Sequence, residues 1–221
     1  MPDDKILNLA IKALKAGELI GLPTETVYGL AGDAGNASAV AKIYTLKGRP
    51  AFNPLIAHVS SKAMADEIGQ FNELANPLAE AFWPGPLTLV VPSKPGSSVS
   101  ELARAGLNTQ AIRFPDHSIA QEVISGFGAP IVAPSANLSG QISPTRASHV
   151  RESFGDALDI LIDGGASVLG LESTVIACLE GEVTLLRAGS LPVEDIEDLT
   201  GPLRRSETDD EAPKSPGMLS R

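Results

Sequence analysis

STVIACLEGEVTLLR (173–187) contains two apolar runs, 173–179 and 182–187, divided by Glu-Gly-Glu at 180–182. Both runs carry β-branched and aliphatic residues, and the glycine between them marks a tight hairpin, so two adjacent strands are antiparallel. The rest of the chain alternates instead. ELIGLP (18–23), LIAHV (55–59), LTLVV (87–91), AIRF (111–114) and IVA (131–133) read as short buried strands. Helices fit around and between them. In 4–16, Ile6, Leu7, Leu9, Ala10, Ala13 and Leu14 recur at helical spacing before Gly17. A second helix starts near Asn36 and carries Val40, Ile43, Tyr44 and Leu46 on one face, and others fit 61–69, 72–82, 116–125, 145–153 and 191–199. Alternation plus one hairpin predicts an α/β fold, a twisted mixed sheet covered by helices.

The chain has 221 residues, enough for a core that buries roughly 70% of the unfolded surface without staples. Its 43% hydrophobic and 20% charged residues match folded proteins. Aromatics make up 4%, which argues against a stacking platform for single-stranded nucleic acid. Seventeen basic against 27 acidic residues leave a formal charge of −10, so there is no overall basic footprint, though a local basic cleft is compatible with it. The single cysteine, Cys178, excludes an internal disulfide framework and a Cys-rich zinc site, and no disulfide-linked partner is expected. No apolar run approaches a membrane span, and MPDDKILNLAIKALKAG is not a signal peptide. A cytoplasmic protein without membrane contact is the expectation. After Leu203 the composition changes. RRSETDDEAPKSPGMLSR is polar with two prolines, so 1–203 reads as one domain and 204–221 as a tail or linker.

Familiar catalytic signatures are missing. There is no G-x-x-x-x-G-K-[ST] loop, G-x-G-x-x-G turn, G-x-S-x-G elbow or H-E-x-x-H helix. The histidines, at 58, 117 and 149, share no metal-ligand spacing, and no metal site is expected. GFG at 126–128 reads as a helix stop.

What remains is a set of polar strings at strand boundaries, where ligands collect in open α/β sheets. PTETVYGL (23–30) sets hydroxyls and a carboxylate after a strand; it can equally be an N-capping loop with Thr24 or Thr26 as cap. LKGRPAFNPLIAH (46–58) gathers Lys47, Arg49, Asn53 and His58 around two prolines. Lys47 can simply complement its own helix dipole. Arg49, held by its rigid proline flanks, suits a phosphate or carboxylate contact. His58, taken alone, reads as a satisfied core histidine. In QAIRFPDH (110–117), Arg113 sits in an apolar strand and needs a partner, either an internal Asp or Glu or a substrate carboxylate. APSANLSGQISPT (133–145) offers hydroxyls and backbone N–H groups to an anion, and ESTV (172–175) and RAG (187–189) repeat that theme. Together the strings describe an anion-binding pocket built from several strand ends.

PTETVYGL, KGRPAFNPL, WPGPLT, RFPDH, APSANLSG, SPT, ESTV and RAG, in this order over about residues 5–200, resemble the threonylcarbamoyl-AMP synthase family of YrdC-like domains. The resemblance implies a YrdC-like sheet with a large concave basic cavity, and a complete tetrad of Lys47, Arg49, Ser135 and Asn137 as catalytic residues. It implies a threonine site at Thr26, His58, Arg113, Ser135 and Ser173. It implies an ATP site at Lys47, Arg49, Asn53, Thr109, Asn137, Thr145 and Arg187. The implied reaction joins L-threonine, bicarbonate or carbon dioxide, and ATP with its Mg2+ into threonylcarbamoyl-adenylate and pyrophosphate. A tRNA threonylcarbamoyl transferase is the implied downstream partner. APKSPGMLSR resembles the linker of long-type members, so 204–221 would lead to an absent C-terminal domain. Two rivals stand beside this reading: an RNA-binding module of the same fold, opposed by charge and scarce aromatics, and a related carbamoyl-adenylate-forming domain, whose usual Cys-x-x-Cys neighbours have no counterpart here.

Overall fold

The computed structural model describes residues 3–205. Ten strands form one mixed sheet. In chain order they are β1 (Ile20–Leu22), β2 (Gly29–Asp33), β3 (Ile56–His58), β4 (Leu87–Pro92), β5 (Thr109–Arg113), β6 (Ile131–Val132), β7 (Ile160–Leu161), β8 (Thr174–Leu179), β9 (Glu182–Arg187) and β10 (Arg204–Arg205). Across the sheet they run β10-β9-β8-β4-β5-β3-β6-β2-β1-β7. The helices are α1 (Asp4–Lys15), α2 (Ala37–Lys47), α3 (Lys62–Ile68), α4 (Ala75–Phe82), α5 (Ser118–Phe127), α6 (Ala147–Phe154) and α7 (Val193–Thr200).

The expected hairpin is β8–β9, closed by Glu180 and Gly181 at φ 53° and 77°. Two positive-φ residues give a turn whose twist matches its strands, and glycine takes the second position without strain. The expected helices form within a few residues of their predicted bounds. Asn36 caps α2 through Ser38 and Ala39 N–H groups, and Ser61 caps α3 through Met64. Gly128, left-handed at φ 82°, ends α5 where GFG was read as a stop.

Three strands were not anticipated. β2 begins inside the string read as a loop, and β7 is two residues long. Arg204–Arg205 pair in parallel with Thr184 and Leu185 of β9, so the sheet takes the first two residues of the expected tail. The rest of that tail, 206–221, lies outside the described residues.

Strand alternation divides the sheet between its faces. Ala57, Leu89, Ile112, Val132 and Ile176 point into the larger core with side chains of α2, α3, α4, α6 and α7. On the opposite face α1 and α5 cover only the β6-β2-β1 end, through Leu7, Leu14, Val123 and Ile124 against Ile20, Leu22, Ala31 and Ile131. His58 stands opposite Ile131 in register, so it shares that face, and beyond it no helix follows. There Ile56, Val90, Ala111, Val175 and Ala177 form a shallow apolar floor. This helix-free stretch of sheet is where the cavity lies. Among the described residues no helix is long and apolar enough to cross a membrane.

Candidate active site

A cavity of about 880 Å³ opens on that face. Register builds its polar end: His58 of β3 lies opposite Arg113 of β5, which lies opposite Thr88 of β4. Three strand ends thus present a histidine, an arginine and a threonine in one row. Thr88 Oγ1 sits 2.7 Å from Ser173 Oγ and fixes that hydroxyl just before β8.

Arg113 has an internal partner. Its guanidinium meets Glu25 Oε1 at 2.7 Å, both side chains are at least 90% buried, and its Nε donates to the Gly85 carbonyl at 3.3 Å. The pair is therefore a foundation beneath the cavity wall, and Arg113 itself also lines the cavity. Thr24 and Thr26 do not cap a helix. Thr24 Oγ1 closes the turn onto the Val27 carbonyl at 2.6 Å and contacts Thr26 Oγ1 at 2.8 Å. His58 Nδ1 donates to the Ile56 carbonyl at 3.1 Å, which leaves Nε2 as an acceptor. Burial, then the nearby Arg113 charge, lowers its pKa to about 3, so His58 is a neutral hydrogen-bonding group.

The opposite end is cationic. Lys47 ends α2, and its role goes beyond the helix dipole. Its buried Nζ reaches across to the carbonyls of Ser135 and Asn137, the latter at 2.5 Å. Arg49 donates from Nε to the Asn53 carbonyl at 3.2 Å and from Nη2 to the Pro54 carbonyl at 3.1 Å, so the proline-bounded segment that follows it holds it in place. Arg187 donates to the Ser173 carbonyl and hydroxyl and pairs with Glu172. Backbone carbonyls hold all three cations in place, and of the three only Arg187 also meets a carboxylate. Buried Asn53 and Asn137 each keep an Oδ1 with no donor, an opening for a ligand N–H or O–H.

Thr26, Lys47, Arg49, Asn53, His58, Arg113, Ser135, Asn137, Ser173 and Arg187 all line this one cavity. Thr109 and Thr145 do not. Thr109 opens β5 at the end far from Arg113, opposite Pro92. Thr145 lies behind Gly170, 3.8 Å from the position of a Cβ there, with its N–H near His149 Nδ1 at 3.4 Å. The sequence reading also passed over Glu172, Ser143 and the supporting Glu25 and Thr88. Glu172 and Glu25 lie within ESTV and PTETVYGL, the latter being the carboxylate of that string.

Residues 12–189 match the Sua5/YciO/YrdC family, described as "Telomere recombination". The chain belongs to the Sua5/YciO/YrdC family. It is 44% identical over 220 residues to threonylcarbamoyl-AMP synthase of Bacillus subtilis, covering 98% of this chain and 63% of that protein. It is 46% identical over 202 residues to threonylcarbamoyl-AMP synthase of Pyrococcus abyssi, covering 90% of this chain and 58% of that protein. The crystal structure of P. abyssi Sua5 with L-threonine matches it with a TM-score of 0.96 and 42% identity, over 100% of this chain and 66% of that one. This chain thus spans about three fifths of the length of these Sua5 relatives.

Within this Sua5-type domain, Gly189 sets how closely the Arg187 loop approaches the serine segment. A Cβ there would fall 2.4 Å from the Glu172 carbonyl oxygen and the Ser173 carbonyl carbon. Gly189→Ala is expected to force the two segments apart and cost about 1–3 kcal/mol, measurable by urea unfolding. An unchanged midpoint would show that the loop yields freely.

Proposed function

We propose that this domain is the catalytic unit of an L-threonylcarbamoyladenylate synthase, condensing L-threonine, bicarbonate or CO2, and ATP, with release of pyrophosphate. One observation carries the reading: a single cavity joins an amino-acid-sized end, with Arg113, neutral His58, Thr26 and Ser173, to a cationic end with Lys47, Arg49 and Arg187. The names of the Sua5 relatives support the same assignment.

The chemistry demands that one anion, a carbamate, attack another, the α-phosphate of ATP. Arg113 would receive the threonine carboxylate, while His58 Nε2 and the hydroxyls accept from or donate to its amine and side chain. A neutral amine adds to CO2: the N–C bond forms as one C=O π bond opens, an N–H proton passes to solvent, and the resulting carboxylate oxygen faces the phosphorus. Attack forms the O–P bond and breaks the bond to pyrophosphate. Fixed cations along this path stabilise the developing charge without reorganising. Alignment of three small reactants supplies roughly 7–11 kcal/mol more. No covalent nucleophile is required, and Ser135 acts by binding. Magnesium comes with the nucleotide. Glu172, the single carboxylate among the described residues lining the cavity, has both oxygens engaged, so phosphate oxygens and water would hold the ion. The adenylate would pass to a tRNA threonylcarbamoyl transferase in the cytoplasm.

The decisive assay supplies the chain with ATP, magnesium, threonine and labelled bicarbonate, followed by rapid chromatography. A labelled adenylate that disappears without threonine is expected. Absence of product together with absence of threonine and ATP binding overturns the reading.

Nucleotide binding also carries a proton signature. Burial, then the adjacent Arg49 guanidinium, pulls the Lys47 ammonium down to about 7. A triphosphate alongside favours the charged form and raises that value again. Between the two values the complex holds a proton that the free domain lacks, so ATP affinity falls as pH rises from about 7. Calorimetry at pH 8 in buffers of different ionisation enthalpy should show proton uptake, lost in Lys47→Met. Uptake of the same size in both proteins would remove Lys47 as its source.

A further inference from the structure

Glu172 is out of keeping with its surroundings. Apart from the neutral His58, every other ionisable side chain on the cavity wall is basic: Lys47, Arg49, Arg113 and Arg187. Its Oε1 accepts from Ser143 Oγ at 2.8 Å, and its Oε2 takes Nη1 of Arg187. Burial opposes its ionisation, but Arg187, the Ser143 and Ser135 hydroxyls and Lys47 outweigh that and hold its pKa below the ordinary value. A carboxylate therefore stands on the cavity wall directly against Arg187, one of the cations assigned above to the nucleotide.

Two features separate this pair from Glu25–Arg113. The Glu172 side chain is 33% exposed against 9% for Glu25, so Glu172 belongs to the wall and is reachable by a ligand. Arg187 also does not need Glu172 for its orientation. Three hydrogen bonds from Nε and Nη2 to the Ser173 carbonyl and hydroxyl, at 2.9–3.1 Å, already lock the guanidinium plane. What Glu172 adds is charge.

We propose that Glu172 is a displaceable internal counter-anion. It occupies Arg187 while the site is empty, and the pyrophosphate moiety competes with it for that cation. Like charges inside a partly desolvated wall repel strongly, so Glu172 weakens pyrophosphate retention and favours its departure. The cavity can then be strongly cationic toward a reacting nucleotide without becoming a trap for the product. This rests on the nucleotide reading above only in naming pyrophosphate as the competitor.

The test titrates inorganic pyrophosphate calorimetrically into the whole chain as wild type, Glu172→Gln and Glu172→Asp, at one pH and two salt concentrations. The Gln variant should bind about tenfold more tightly and with a steeper salt dependence, since one repulsive charge has gone. The Asp variant, which keeps the charge, should stay close to wild type. Equal or weaker binding by the Gln variant overturns the proposal, because Glu172 would then be organising Arg187. Equal tightening in both variants overturns it too, because size would be the cause. Thermal melts establish that each variant is folded, and Glu172→Ser is a second neutral variant should the Gln protein melt early. If wild type made no adenylate while the Gln variant still tightened on pyrophosphate, the enzyme assignment would fail and the counter-anion would stand.

Discussion

Lys47→Ala is expected to lower threonine-dependent adenylate formation by about 10²–10³-fold, comparable to losing one donor that stabilises transition-state charge. Two functions leave with this side chain. In the proposed reaction its ammonium is part of the field that lets a carbamate approach a triphosphate, and its bonds to the Ser135 and Asn137 carbonyls pin the 134–143 loop to the end of α2. A second tie, from the Ser139 N–H to the Lys47 carbonyl at 2.9 Å, survives the substitution, so the loop stays tethered by its backbone. The loss should therefore appear mainly in kcat, with the domain still melting cooperatively. Lys47→Arg is not a rescue, since a planar fork cannot reproduce a point charge between two carbonyls. Wild-type turnover in a folded Lys47→Ala protein would remove Lys47 from the mechanism.

The second large effect concerns stability. Glu25→Ala leaves Arg113 buried without its carboxylate, and Arg113→Ala does the same to Glu25. Each should cost about 3–5 kcal/mol, the usual result of breaking one side of a buried ion pair. For a domain of this size that lowers Tm by roughly 10 °C. Replacing both partners by apolar residues of similar volume should recover most of the loss, because no charge is then stranded. A double variant no more stable than the singles would show that the pair holds up something besides itself. Threonine binding separates the roles. It is lost in the double variant however stable that protein is, because the carboxylate receptor has gone.

The sequence made some of this architecture legible and concealed the rest for identifiable reasons. The β8–β9 hairpin could be read because Glu-Gly-Glu interrupts two β-branched runs. β2 escaped because Gly-Leu-Ala-Gly-Asp carries no β-branched residue. It is a strand through pairing with β1 and β6, a tertiary fact that overrides local preference. β7 and β10, at two residues each, are too short for any periodicity. At the site, motif strings brought ten residues into one cavity, whereas Thr109 and Thr145 lie off its wall. Four residues along an extended strand span some 13 Å, so Thr109 and Arg113 of β5 lie at opposite ends. Physical reasoning does recover Glu25, since a strand-borne arginine in an apolar run requires a buried partner. Glu172 carries no such signal in the sequence, because nothing in ESTV shows that it faces Arg187 across the hairpin.

The strand order also governs when this domain can come into being. β1, near the amino end, pairs in parallel with β7, about 140 positions later, and β4 waits for β8. During synthesis Lys47 and Arg49 are made early, but the far wall, with Glu172, Ser173 and Arg187, is among the last parts of the domain to be translated. No nascent piece short of β9 can close the cavity, so a ribosome stalled upstream carries a sheet with open edges. Such long-range pairing slows folding. It also means that the cavity, and with it the proposed nucleotide site, exists only once β9 has been translated.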